Sequence, residues 1–432
     1  MNYLLVSLFL SWINFLFKKY VEFRQLSVTK TTTNCPSQLK ENYKDGTFEK
    51  ARAYSIEKMH FSLIKSIYDV IKDSIMLYSG VIVYFWNYCN NGNEIYASAL
   101  LILIHTTIGT IEGLPWSFYS HFVIEERHGF NKQTISFFLK DSVKMYILSL
   151  VIGVPLTTTL VYIIQVTGDY FYFFAFSFIS VVTLVMMYVY PIWIQPIFDN
   201  FQEFPESPLK TKIYALAAKV HYPLTKLLVV EGSARSSHSN AYLTGFGSSK
   251  RIVLYDTLIK GFVFPGKKPE EATVKGCSKD EEIEAVLAHE LGHWQYSHIF
   301  KDIIISQINT FTMFYLFSCL IHKDEIYQDF GFAQNQCPII LKLFIIFSVL
   351  LEIYSEIFGI FNTYLTRLFE KEADLHAVKL GYGEYLKDAL VVLSLDNLSF
   401  PVHDWLYSAI NYSHPTTLER ITQMDQDMEK MK

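Results

Sequence analysis

Long apolar stretches recur along this chain, separated for the most part by short polar connections. Runs near 2–17, 74–89, 95–112, 145–166, 170–192, 303–321 and 339–361 are each long enough to be read as a helix crossing a hydrocarbon layer, the last interrupted by Glu352 and Glu356. The pattern predicts a mostly helical, polytopic membrane protein with seven transmembrane helices, five of them within 1–192 and two within 303–361. The first run has no positive charge ahead of it, and Lys18-Lys19 follows with no small-residue cleavage site, so it reads as a retained anchor rather than a signal peptide.

Between 193 and 302 the pattern changes. Short β-rich runs at 226–230 and 251–255 flank a Gly/Ser-rich piece, 232–249, which predicts a small hairpin or sheet, with Asn240-Ala241-Tyr242-Leu243-Thr244 as a possible edge strand. Residues 267–272 are polar and interrupted by Pro269, hence an exposed loop. The expected organisation is a membrane region (1–192), a soluble segment (193–302), two further spans (303–361) and a soluble C-terminal segment (362–432).

Composition agrees with a life in the bilayer: 51% of the 432 residues are hydrophobic and 16% aromatic. A net charge of −5 with no basic or acidic tail gives nothing that points to nucleic acid, and none is expected as a partner. Cys35, Cys89, Cys277, Cys319 and Cys337 show neither a C-x-x-C pair nor metal-ligand spacing. Charge also sorts the connections. Residues 18–73 hold eleven Lys/Arg and 113–144 hold four, whereas 90–94 and 167–169 hold none and 322–338 only Lys323. The positive-inside rule then puts the rich loops, 193–302 and the C-terminal tail in the cytosol, and the N-terminus on the opposite side.

Candidate chemistry lies at 284–298. On a helix, His289 and His293 of His289-Glu290-Leu291-Gly292-His293 share a face and can hold one zinc ion, with Glu290 about 100° round from His289 as a general base. A hydrolytic site needs a third ligand. Glu370 and Asp374 are an i, i+4 pair downstream, so that one carboxylate can bind zinc while the other orients a ligand histidine; Glu372 between them points elsewhere. Both halves of this site fall on one side of the membrane, because two spans separate them.

Three further stretches need a reading, and two of them allow more than one. The strand at 240–244 suits an extended peptide laid along a sheet edge, or is plainly structural. Residues 124–131, Ile-Glu-Glu-Arg-His-Gly-Phe-Asn, have the composition of a solvated loop. His414, just before Pro415, can donate to an oxyanion or cap the following helix, where Glu419 and Arg420 lie.

Taken together, the motifs at 288–294, 124–132, 235–242, 251–258, 369–374 and 412–415 resemble those of the type I CAAX prenyl proteases, seven-span zinc metalloproteases of the endoplasmic reticulum and nuclear envelope. The resemblance implies a helical barrel around a large water-filled chamber, with one Zn2+ per chain at its cytosolic end. It implies His289, His293 and Glu370 as ligands, Glu290 as base, Asp374 behind a ligand, His414 as oxyanion donor and Asn240, Ala241 and Tyr242 as substrate strand. The implied enzyme is a monomer in the endoplasmic reticulum membrane, and also the nuclear inner membrane, that removes the last three residues of prenylated Cys-a-a-X proteins. Two departures stand out: 243–249 is smaller and less aromatic than is usual in that family, and Lys371-Glu372 stands where an aromatic-Gln pair is common. The competing readings are a membrane quality-control zinc protease without prenyl preference, and a transporter or scaffold with a structural metal.

Overall fold

The computed structural model describes residues 2–44, 46–247 and 249–432, leaving aside the side chain of Phe246. In lipid a helix satisfies its own backbone polar groups, and the apolar runs fold accordingly. Helix α1 (Tyr3–Thr31) opens on Asn2, whose side chain accepts from the Leu5 N–H. It is followed by α2 (Thr47–Tyr78), α3 (Val81–Cys89), α4 (Glu94–Tyr119), α5 (Ile135–Val166) and α6 (Phe171–Val189). Between α2 and α3 the chain turns at Gly80, which adopts φ 68°, a conformation open to glycine without a Cβ penalty.

The soluble segment comprises α7 (Gln195–Phe198), β1 (Phe201–Glu203), α8 (Pro208–Lys219), β2 (Leu224–Val230), β3 (Ala241–Phe246), β4 (Ser249–Tyr255) and α9 (Asp280–Gln295). Helix α10 (His298–Leu320), α11 (Asp324–Asp329), α12 (Ile339–Phe344) and the long α13 (Glu352–Lys379) return the chain through the membrane region. Then α14 (Gly383–Asp396), α15 (Trp405–Asn411) and α16 (Thr417–Met431) complete it.

The long helices close a ring. Helix α1 packs on α2, α2 reaches α4 through α3, and α4, α5, α6 and α10 follow in order; α10 meets the π-helical turn Ile345–Leu350 that leads into α13, and α13 returns to α1. Each stave touches its neighbours by its edges. In the five single helices that are long and apolar enough to span, only 6–28% of the most apolar stretch is buried within the protein. A close-packed bundle would bury a broad stripe on every helix, so the ring is hollow.

Those five among the described residues are Tyr3–Thr31, Glu94–Glu125, Ile135–Val166, Gly168–Phe198 and His298–Leu320, and the pair Ile339–Leu350 and Glu352–Lys379, bent by 58°, makes a sixth. The remaining stave is α2 with α3. The apolar run expected near 74–89 is divided by the turn at Gly80, and α2 carries Lys65, Asp69, Lys72 and Asp73, which keep it below the apolarity of a simple span. Lys72 pairs with Glu112 of α4 at 2.8 Å, and Lys18 of α1 with Glu356 of α13 at 2.6 Å. Charges at this depth stay out of lipid by pairing between staves.

Each end of the ring is closed differently. At one end Trp86, Phe171, Phe317, Tyr327 and Leu341 form an apolar plug with α11 and α12. At the other sits the soluble core, a four-stranded sheet in the order β1-β2-β4-β3, in which β2 and β4 run parallel and β3 pairs antiparallel with β4. Leu227, Val229, Ile252 and Leu254 of the sheet bury against Leu209, Ile213 and Leu216 of α8 and Ile283, Leu287 and Leu291 of α9. Full burial of such side chains contributes about 1.5–3 kcal/mol each.

The sheet is larger than a hairpin, and β3 lies at its edge as expected. Of the run after that strand, Ser248 lies outside the described residues. Residues 124–131 are not a solvated loop. Ile124 and Phe130 are buried with Tyr54, Tyr54 Oη donates to Glu125 at 2.7 Å, and the Phe130 ring stacks on His238 at 4.3 Å. This corner joins staves α2 and α4 to the segment that leads into β3. Helices α10 and α13 run unbroken across 302/303 and 361/362, so the membrane and soluble regions share their framing helices.

Candidate metal centre

Helix α9 starts with Asp280, Glu281 and Glu282 in its first turn, the charge sign that suits a helix N-terminus, and Glu282 reaches back to accept from the N–H groups of Ser278 (2.9 Å) and Lys279 (3.3 Å). One face of the helix supplies the core residues Ile283, Leu287 and Leu291; another presents His289 and His293 to α13. The two helices cross closely at Gly292. A Cβ there would lie 2.9 Å from Ala373 Cα and 3.0 Å from His376 Cβ, so no larger residue fits without a shift of backbone. His376 Nδ1 donates to the Ala288 carbonyl at 3.0 Å across the same contact.

This crossing brings Glu370 to the histidines. His289 Nε2 lies 3.4 Å from Glu370 Oε2, His293 Nε2 lies 3.3 Å from Glu370 Oε1, and the two Nε2 atoms are 3.3 Å apart. The three donor atoms fall within 4.8 Å of one another. Glu370 is buried, and its Oε2 has no hydrogen-bond donor among the described residues. A buried carboxylate oxygen left without a donor, facing two imidazole nitrogens, fits a cation.

Asp374, one turn after Glu370, does not join the three donors. It accepts from His289 Nδ1 at 2.9 Å, which leaves His289 Nε2 as the free nitrogen. Behind it, Arg420 makes a paired contact through Nε (2.8 Å) and Nη2 (2.6 Å). Sequence reasoning passed over Arg420, although it named the residue beside Glu419, because an arginine on a polar helix reads as solvent-facing. His298, the last residue of the motif stretch, was also missed. Its Nδ1 lies 2.9 Å from His293 Nδ1, and its Nε2 lies 2.8 Å from Glu372.

Glu290, between the two histidines, is partly buried. Burial holds its carboxyl above the usual carboxylate range, with the two histidines pulling the other way. His414 approaches from the C-terminal segment, its Nε2 3.2 Å from Glu370 Oε1 and its side chain 60% exposed. It does not cap α16: Thr416 does, its side chain accepting from the Glu419 N–H while Glu419 accepts from the Thr416 N–H at 2.7 Å. Arg367 holds this loop through the carbonyls of Ser408 and His414 and a paired contact to Glu419 at 3.0 and 3.2 Å.

Edge strand β3 packs beside α9. Asn240 precedes it, accepting from the Tyr255 N–H through its carbonyl at 3.0 Å; Ala241 is buried; Tyr242 Oη accepts from Gln195 at 2.6 Å. The sheet order leaves the other side of β3 without a strand partner among the described residues.

Comparison with known proteins agrees along nearly the whole chain. Residues 25–200 match the CAAX prenyl protease N-terminal family, described by five membrane helices, and residues 204–427 match peptidase family M48. The chain is 46% identical to the CAAX prenyl protease 1 homolog of Taenia solium, covering 98% of this chain and 95% of that one. It is 42% identical to the homolog of Homo sapiens, covering 96% and 93%. The crystal structure of S. mikatae Ste24p superposes with a TM-score of 0.87 at 34% identity, covering 98% of this chain and 99% of that one. With the hollow ring and the two-histidine, one-carboxylate cluster already described, these matches settle kinship: the chain belongs to the CAAX prenyl protease 1 family of M48 metallopeptidases.

Proposed function

We propose that this protein is the zinc endopeptidase that removes the last three residues of prenylated Cys-a-a-X proteins, acting from the cytosolic face of the endoplasmic reticulum membrane. The observation that carries the chemistry is the convergence of His289, His293 and Glu370 Oε2, which has no donor among the described residues, beside a sheet edge with no strand partner among them. His289, His293 and Glu370 would hold the ion, one per chain, and a donor set of two imidazoles and a carboxylate suits zinc. When bound there, zinc supplies a Lewis acid and a lowered pKa for water.

The chain's own residues do the rest. Asp374, backed by Arg420, keeps the proton of His289 on Nδ1. Glu290 takes the proton of the attacking water and delivers it to the departing amine, a role that a raised carboxyl pKa favours. His414, exposed beside Glu370, donates to the oxyanion as the scissile carbonyl becomes tetrahedral. Asn240, Ala241 and Tyr242 bring the substrate backbone alongside α9 as an added strand. The catalytic unit is thus assembled from 193–302 and 362–432, and the hollow ring offers a prenyl chain an apolar path worth about 0.8 kcal/mol per buried CH₂.

The test is cleavage of one Cys-a-a-X peptide, prenylated and unprenylated, by the purified chain. Strong preference for the prenylated form is expected. Equal turnover of both would leave a membrane protease without prenyl selectivity, and no turnover of either with zinc bound would return the metal to a structural role.

A further inference from the structure

We infer that Glu372 and His298 form a positioning relay for His293, fixing the ring nitrogen that it offers to the metal and raising its affinity. The inference rests on His293 being a metal ligand, as proposed above. With His293 as a ligand, the contacts leave one consistent arrangement of protons. Glu372 is a carboxylate and accepts only, so His298 Nε2, 2.8 Å away, carries a hydrogen. If His298 were a cation, its Nδ1 would donate as well, His293 Nδ1 would have to accept, and the proton of His293 would sit on Nε2, the nitrogen turned toward Glu370 and His289. A protonated Nε2 cannot ligate. His298 is therefore neutral with a free Nδ1, which accepts from His293 Nδ1–H at 2.9 Å and leaves His293 Nε2 bare.

The chain is bent to make this contact. Ser297, a non-glycine residue at φ 56°, separates α9 from α10 and folds His298 back beneath His293, five residues earlier. His298 is buried, its ring lying 4.3 Å from Phe369 at an interplanar angle of 11°, so it holds one orientation. Lys301 stands 3.7 Å from Glu372 and 5.2 Å from the centre of the Phe369 ring, on the outer side of the relay. A carboxylate polarises the imidazole more than an amide does, so the relay makes His293 a stronger donor. Asp374 serves His289 in the same way through one bond; His293 is served through two.

The test measures zinc affinity of the full chain by competition with a chromophoric chelator, alongside the unfolding temperature of the zinc-saturated protein. His298→Phe, which keeps the stacking and removes the acceptor, should weaken zinc binding about 10–100-fold. Glu372→Gln should weaken it by a smaller factor, and the double variant should be no weaker than His298→Phe alone, because Glu372 acts only through His298. Unchanged affinity in folded His298→Phe, or an additive double variant, would overturn the relay. Should His298→Phe fail to fold, Glu372→Gln decides on its own, since that side chain is half exposed: wild-type affinity there would overturn the proposal. His293→Ala is the control, and full affinity in it would overturn the ligand assignment itself.

Discussion

Glu290 and His414 can be told apart by what each variant leaves intact. Glu290→Gln preserves shape and the three donors but has no basic oxygen to take a proton, so turnover should fall by about 10²–10⁴-fold with zinc content unchanged. Metal analysis beside single-turnover kinetics checks this, and near-normal turnover would remove Glu290 from its role. His414→Ala should lower kcat about 10²–10³-fold with little change in KM, because its bond strengthens only as the carbonyl becomes tetrahedral. Thr416→Ala removes the actual cap of α16 and should cost about 1 kcal/mol of stability while kcat holds. The two histidines of the motif were legible because i, i+4 spacing forces a shared face. Glu370 and Asp374 could not be ranked by spacing, since either carboxylate satisfies it; only the bond from His289 Nδ1 to Asp374 decides. His298 was hidden for another reason: serine gives no signal for the left-handed turn at 297 that brings it home.

At the scale of elements, the site exists because α9 and α13 cross at a position without a side chain. Gly292→Ala would set a methyl group 2.9 Å from Ala373 Cα, and backbone cannot yield as a flexible side chain would. The variant should lower both thermal stability and zinc affinity, even though residue 292 touches no metal; chelator competition and thermal unfolding measure the two losses. Overpacking of this kind costs about 1–3 kcal/mol. The sheet was legible in its strands at 226–230 and 251–255, short apolar runs rich in Leu, Val and Ile. Strand β1 was not, being three residues long and lacking an apolar pattern of its own. The corner at 124–131 was misjudged on composition, because its polar groups are met by α2: Glu57 accepts from Arg127 and His128, and Tyr54 donates to Glu125.

For the whole molecule, hydropathy located the membrane runs but could not show that they form a ring rather than a bundle, since inner and outer faces of a hollow ring are both uncovered. The second stave was blurred because charges that pair across a seam, such as Lys72 with Glu112, look in sequence like the end of a span. The charge of the loops predicts an orientation that can be tested. A glycosylation acceptor introduced at 90–94 or 322–338 should be modified, and one at 267–275 should not. The opposite pattern would place the metal centre in the lumen.

Helix α13 is at once a wall of the ring and the bearer of Glu370, and that makes it a lever. Its fulcrum is the 58° bend just before Glu352, and Glu370 stands eighteen residues beyond, a reach of about 27 Å at about 1.5 Å per residue. Tilting such an arm by one degree displaces its far end by about 0.5 Å, close to the whole tolerance of a preorganised site. Bilayer thickness acts on the tilt of spanning helices. The rate should therefore change with the length of the lipid tails around the ring, and a constant rate across bilayers of different thickness would show that the arm does not move.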